Sequence, residues 1–230
     1  MKCKLNPRLS ASDWNEFCER FHFPMTDVPY IKAIYMAMLP LIDAYVFYSL
    51  EQNLEEITLP RYAYGMVTLG TGMDEMAELY LSHEQIQEAY IIDCISLMLL
   101  SKAYEEFAHV IEAQSGLYLT ELSFLGDQYS LELLPQIYER LAPDDISLTE
   151  GNMLKPLKTA TLVLQLDAHQ HTNVKQLCNT CANCKNFSCP SRKVQASPMP
   201  KTYGNMQIFR KIKRQKSDKV RRNSSGNTRG

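Results

Sequence analysis

Residues 84–114 read EQIQEAYIIDCISLMLLSKAYEEFAHVIEAQ, and this stretch decides the fold. No Gly or Pro interrupts it, its apolar residues recur at helical spacing, and Gly116 stands just past its end as a C-cap, so it reads as one long helix. From Tyr90 to Leu100 the helix is apolar almost all round. Only a helix enclosed by other elements tolerates that, so it is the central core helix.

Working outward, MDEMAELYLS (73–82) is a short amphipathic helix, and ITLPRYAYGMVTLG (57–70) is rich in β-branched and aromatic residues and closes on glycine. That composition predicts extended structure or a hairpin. Residues 27–56 read as helix, with Thr26 or Asp27 as cap and Pro40 as a kink or break between two helices. On the other side, LYLTELSFLG (117–126) is a strand or turn, and SLELLPQIYERLAP is a helix opened by Ser130. ISLTEGNMLKPLKTATLVLQLD (146–167) predicts two strands joined around Gly151 to Pro156. Helices and strands in this irregular order imply α+β rather than alternating parallel units, with a helical N-terminal cap and a Cys-rich C-terminal loop. The expected organisation is a helical region over 1–60, an α+β core over 61–192, and a basic, disordered tail over 193–230.

The chain has 230 residues, 45% of them hydrophobic, enough for one main domain. Its formal charge of -2 hides an asymmetry. Residues 201–230 hold ten Lys or Arg against Asp218 alone, a segment of +9, which leaves -11 on residues 1–200. The opening MKCKLNPRLSASDWNEF has no apolar signal region, and the longest apolar runs are broken by Pro40 and Asp43, short of the roughly 20 residues that cross a bilayer. A cytoplasmic protein with no membrane partner is the expectation. Nothing matches a Ser-His-Asp triad, a P-loop or a G-x-G-x-x-G loop, so those hydrolase and nucleotide classes have no support.

The densest chemistry is C-N-T-C-A-N-C-K-N-F-S-C-P, which places Cys178, Cys181, Cys184 and Cys189 within twelve residues. In a reducing compartment such thiolates read as ligands before disulfides. The spacing is one residue longer than a bacterial iron-sulfur run and equally suits tetrahedral zinc, so a [4Fe-4S] cluster, a zinc ion and an unliganded Cys-rich loop all stay open. His169 and His171 would share one face after a strand, but four cysteines already complete a tetrahedral set, which leaves them as surface residues. Asp93 sits in the most apolar stretch, where an acid either finds a hydrogen-bond partner or has its pKa raised, and capping of a nearby backbone group is expected. The 13 tyrosines and 11 methionines are core filler. The basic tail can attract nucleic acid, an acidic surface or the chain's own acidic body; a nucleic-acid-associated zinc protein is the third and weakest function class.

Four stretches resemble the activation domain of cobalamin (vitamin B12)-dependent methionine synthase, in the short free-standing form found in some bacteria. They are G-M-V-T-L-G before an acidic helix start; the long helix with Asp93 and Y-E-E-F-A; D-I-S-L-T-E-G-N-M-L-K-P-L-K-T-A-T-L-V-L; and the cysteine cluster followed by Arg192. The pattern L-T-E-x-x-M-x-x-P-x-K-(S/T), from Leu148 to Thr159, is the most specific. The likeness runs from about residue 65 to 192. It implies an α+β fold, a twisted antiparallel sheet flanked by helices, that binds S-adenosylmethionine, docks on a corrinoid protein and serves its reductive reactivation: an electron reduces cob(II)alamin and the methyl group of S-adenosylmethionine traps the product, in methionine biosynthesis.

Carried over residue by residue, the resemblance places Glu105 near the amino group of S-adenosylmethionine and matches Gly126 to the last glycine of the R-x-x-P-G-Y-G loop. The rest of that loop departs from the pattern, because Thr120 stands for arginine, Ser123 for proline, Phe124 for glycine and Leu125 for tyrosine. Arginine is the bidentate partner of a carboxylate and glycine admits close backbone approach, so losing both weakens the case for the ligand. The alternative is a metal-stapled corrinoid-protein-binding module that keeps the fold and has lost the methyl donor.

Overall fold

The computed structural model describes residues 1–51, 61–126 and 129–169. In chain order its elements are β1 (Lys2–Lys4), α1 (Asp13–Phe21), α2 (Val28–Met38), β2 (Tyr45–Glu51), β3 (Arg61–Thr68), α3 (Gly72–Ser82), α4 (Ile86–Ser115), β4 (Tyr118–Phe124), α5 (Leu134–Leu141), β5 (Ser147–Leu148), β6 (Leu154–Lys155) and β7 (Thr159–Asp167). Five strands form one antiparallel sheet in the order β1-β2-β3-β7-β4, and β5 and β6 form a small hairpin beside it. This is the α+β architecture that the sequence implies.

The long helix is the organiser. Its 30 residues end where Gly116 turns left-handed at φ +66 and donates its N–H to the Glu112 carbonyl, 3.0 Å away. Ile91, Ile95, Leu99, Phe107 and Ile111 are fully enclosed and join one core with Val46, Ala63, Val67, Leu119, Leu162 and Leu164 of the sheet. Tyr48 of β2 adds a polar tie, donating its hydroxyl to Gln114 Oε1 at 2.7 Å. Helices α1 to α3 close the same core with Trp14, Phe17, Ile31, Met38 and Met73. The opposite sheet face, with Phe47, Tyr64, Met66 and Val163, is covered by Leu133, Leu134 and Ile137 around α5 and by the hairpin residues Leu148 and Leu154. Among the described residues no helix is long and apolar enough to cross a membrane.

Helices α4, α3 and α5 stand where the sequence places them, although Ser130 caps a 3-10 turn at Leu131–Leu133 that leads into α5; the described part of the stretch 27–56 does not. Its helix stops at Met38, Leu39–Leu41 form a single 3-10 turn around Pro40, and Tyr45–Glu51 is a strand paired residue for residue with β3. Val46 and Tyr48 enter one core while Phe47 enters the other. A strand buried on both faces loses the alternation that identifies a half-exposed strand, and its apolar run reads as helix. The tract 146–167 divides differently too: a tight hairpin at Ser147–Lys155 precedes β7, which joins the main sheet between β3 and β4. The strand β1 is a three-residue edge that pairs with β2 and carries no sequence signal of its own.

Candidate functional site

Three of the tracts that carry the resemblance meet at one seam. Lys158, just before β7, reaches α4 and forms an ion pair and hydrogen bond with Asp93. One residue earlier, the Leu157 N–H donates to Asp74 Oδ2 of α3 at 2.6 Å. One residue later, Thr159 Oγ1 donates to Thr68 Oγ1 of β3 at 2.9 Å, and the Leu69 N–H donates to the Lys158 carbonyl at 3.1 Å. The β3–α3 turn needs Gly70 at φ +81, since a Cβ there would stand 3.0 Å from the Asp43 carbonyl oxygen. The hairpin before the seam is closed by Thr149, whose hydroxyl accepts from the Met153 N–H at 3.0 Å and whose N–H donates to the Met153 carbonyl at 2.9 Å. A long apolar helix, an acidic helix start and a Thr-Glu hairpin are thereby fixed against one another. Asp93 therefore pairs with the Lys158 ammonium from another element rather than with a nearby backbone group, and its side chain stays half-exposed.

A second constellation lies where α4 passes the end of β4. The reversal at Gly116 sends β4 back along the helix, so Tyr104 meets Phe124, with ring centroids 5.3 Å apart at 68°. Glu105 is the next residue on α4, and Gly126 follows β4 by two. Each has an internal partner. Glu105 Oε2 lies 3.6 Å from Lys102 Nζ, which is itself 3.0 Å from Asp13 Oδ1 of α1. Asp13 is buried and accepts from the Ser10 N–H at 2.6 Å and the Ser10 hydroxyl at 2.7 Å. Burial alone would raise its carboxyl, but the two Ser10 donors and Lys102 outweigh it and hold the group below the ordinary carboxylate range. Lys102 is held above the ordinary lysine range, first by its bond to Asp13. Glu106 turns toward the N-terminal segment and accepts from the Asn6 N–H at 2.8 Å.

Thr120 sits at the bulge between Leu119 and Glu121, and its hydroxyl donates to the Gln165 carbonyl at 3.0 Å. Gly126, at φ +86, donates its N–H to the Tyr129 carbonyl at 2.6 Å. These residues do not fit a carboxylate-binding loop: the arginine position carries a hydroxyl engaged in the sheet, and the Gly126 N–H closes its own turn.

A cleft of about 580 Å³, which the sequence did not point to, opens between α3 and the hairpin, beside Pro156 and Leu157. Its rim is acidic, with Asp74, Glu75, Glu78, Asp144 and Asp145 against Lys155. Lys2 crosses to Asp145 at 2.5 Å and lies 3.9 Å from Asp144. Its acids come from segments 70 residues apart in the chain, and only folding brings them together.

Cys178, Cys181, Cys184, Cys189, His171 and Arg192 lie outside the described residues. Among the described residues no three metal-binding side chains cluster. Cys3, Cys18 and Cys94 are free thiols, and burial pushes the Cys94 thiol up to about 11, away from nucleophilic use. His169 is exposed, its Nδ1 3.4 Å from Asp167 Oδ1.

No family model and no curated protein matches this chain. A solved structure does. It is the crystal structure of the MetH reactivation domain bound to AdoHcy, with a TM-score of 0.46 at 9% identity, over 77% of this chain and 81% of that one. At this distance the likeness is one of chain path, and no residue role crosses with it.

Proposed function

We propose that this chain is an accessory module that docks on a cobalamin-dependent methionine synthase, or a related corrinoid protein, and serves its reductive reactivation. The observation that carries the reading is the seam. The tracts 65–70, 74–93 and 148–159 carry the resemblance independently in sequence, and in space they are joined through Asp93 to Lys158, Asp74 to Leu157 and Thr68 to Thr159. Tracts that carry the resemblance separately and touch across three elements support one shared architecture. The side chains at the seam hold the 155–158 loop in one place: Asp74 fixes its backbone, Asp93 neutralises Lys158, and Leu157 is left exposed. In this reading the four cysteines supply an electron relay if they hold an iron-sulfur cluster, and a structural staple if they hold zinc.

The resemblance adds S-adenosylmethionine-dependent remethylation, and no step is routed through that ligand here, because Thr120 and the Gly126 turn do not provide for it. That pair of observations favours the second reading, a corrinoid-protein-binding module of the same fold without a methyl donor. The experiment is to mix the purified chain with a cobalamin-dependent methionine synthase that lacks its own activation domain and is held as cob(II)alamin. Co-elution on size exclusion and a reductant-dependent change of the corrinoid spectrum are expected. Separate elution with an unchanged spectrum would overturn the proposal.

A further inference from the structure

We infer that the positions at which the resemblance expects an S-adenosyl ligand are engaged by the chain's own groups, so that this protein takes no S-adenosyl ligand and acts on its partner without one. The inference rests on the proposed reading, which is what directs attention to positions 105, 120, 124 and 126, and each position argues it separately.

At position 105 the carboxylate faces an internal cation. Lys102 stands 3.6 Å from Glu105 and 3.0 Å from the buried Asp13, which Ser10 holds through two further bonds. Lys102 cannot swing away to admit a ligand ammonium without leaving Asp13 buried and without its cation, which is costly, and while it stays it repels any second cation approaching Glu105. At position 120 a threonine hydroxyl, bonded to the Gln165 carbonyl, replaces the fork of donors that a ligand carboxylate requires. At position 124 a phenyl ring packs edge-on against Tyr104, 5.3 Å between centroids, where a glycine would leave no side chain. At position 126 the glycine keeps its left-handed turn, but its N–H is directed 2.6 Å to the Tyr129 carbonyl rather than outward. A free carboxylate, a donor fork, space and a backbone donor are the four things such a ligand would need here. Among the described residues the chain pairs the first with Lys102, has a single hydroxyl in place of the second, sets a phenyl ring at the third and spends the fourth on its own turn.

The test is isothermal titration of the full chain with S-adenosylmethionine and with S-adenosylhomocysteine, backed by thermal denaturation in their presence. No saturable heat up to about 1 mM and no rise in the unfolding midpoint are expected. A saturable isotherm with either nucleoside would overturn the inference. Complex formation with the corrinoid protein is measured on the same preparation. Its loss would count against the proposed function and leave the titration result standing, while binding of both nucleoside and partner would sink this inference and leave the docking intact.

Discussion

At Gly65 a hydrogen in place of a side chain sets how closely the central helix lies on the sheet. A Cβ there would stand 2.7 Å from Phe107 Cζ, and Phe107 is fully buried, so the ring cannot move aside freely. Gly65→Ala is expected to cost about 1–3 kcal/mol, seen as a lowered midpoint in thermal denaturation; an unchanged midpoint would mean that helix and sheet can separate at no cost. Asp13 sets a second residue-scale expectation. Its carboxyl is held below the ordinary range in the folded chain, so the stabilisation it gives is present above the unfolded value and lost as pH falls through the folded one. Stability should therefore decline below about pH 4, and Asp13→Asn should flatten that part of the profile while lowering stability at neutral pH. A variant with the same acid limb as the wild type would show that Asp13 is not the group responsible.

Among the elements, the contact between α4 and β4 is the one to measure, because the Tyr104–Phe124 pair joins helix to strand at the end where the resemblance expects a ligand. A double-mutant cycle of Tyr104→Leu and Phe124→Leu should return a coupling of about 0.5–1.5 kcal/mol, and a coupling near zero would make the ring contact incidental. What the sequence reveals at this scale follows from burial. Helix α4 is readable because its continuous helical spacing and the glycine at its C-terminal end are local signals, and α3 and α5 because of their spacing. The strand β2 is not, since Val46 and Phe47 are buried toward opposite cores and the alternation that marks a strand disappears. The site divides in the same way. Asp93 could be singled out as an acid in an apolar stretch, but its partner Lys158 is 65 residues away and has no local signal. Asp13, Lys102 and the acidic cleft escape a linear reading because nothing at Asp13 announces a lysine 89 residues further on.

For the whole molecule the question is whether the cysteines hold the fold together or add chemistry to a fold already complete. The two described cores draw their buried residues from Leu5 through Leu166, and the five strands of the sheet are paired without any residue beyond Asp167. A centre built on Cys178, Cys181, Cys184 and Cys189 is therefore not needed to close that sheet, which is unlike a zinc finger, where the metal supplies the folding energy. Protein purified without oxygen is expected to carry metal at these thiolates: about four iron and four sulfide per chain with broad visible absorbance for a cluster, or one zinc with none. Chelation, or serine at all four positions, should remove the metal while the main cooperative unfolding transition keeps its midpoint. Loss of that transition together with the metal would make the cysteines the clasp of the entire fold. If the transition holds and the metal is iron, the chain has kept a redox group that its own stability does not require, and selection for electron delivery to a corrinoid becomes the reason for the cluster.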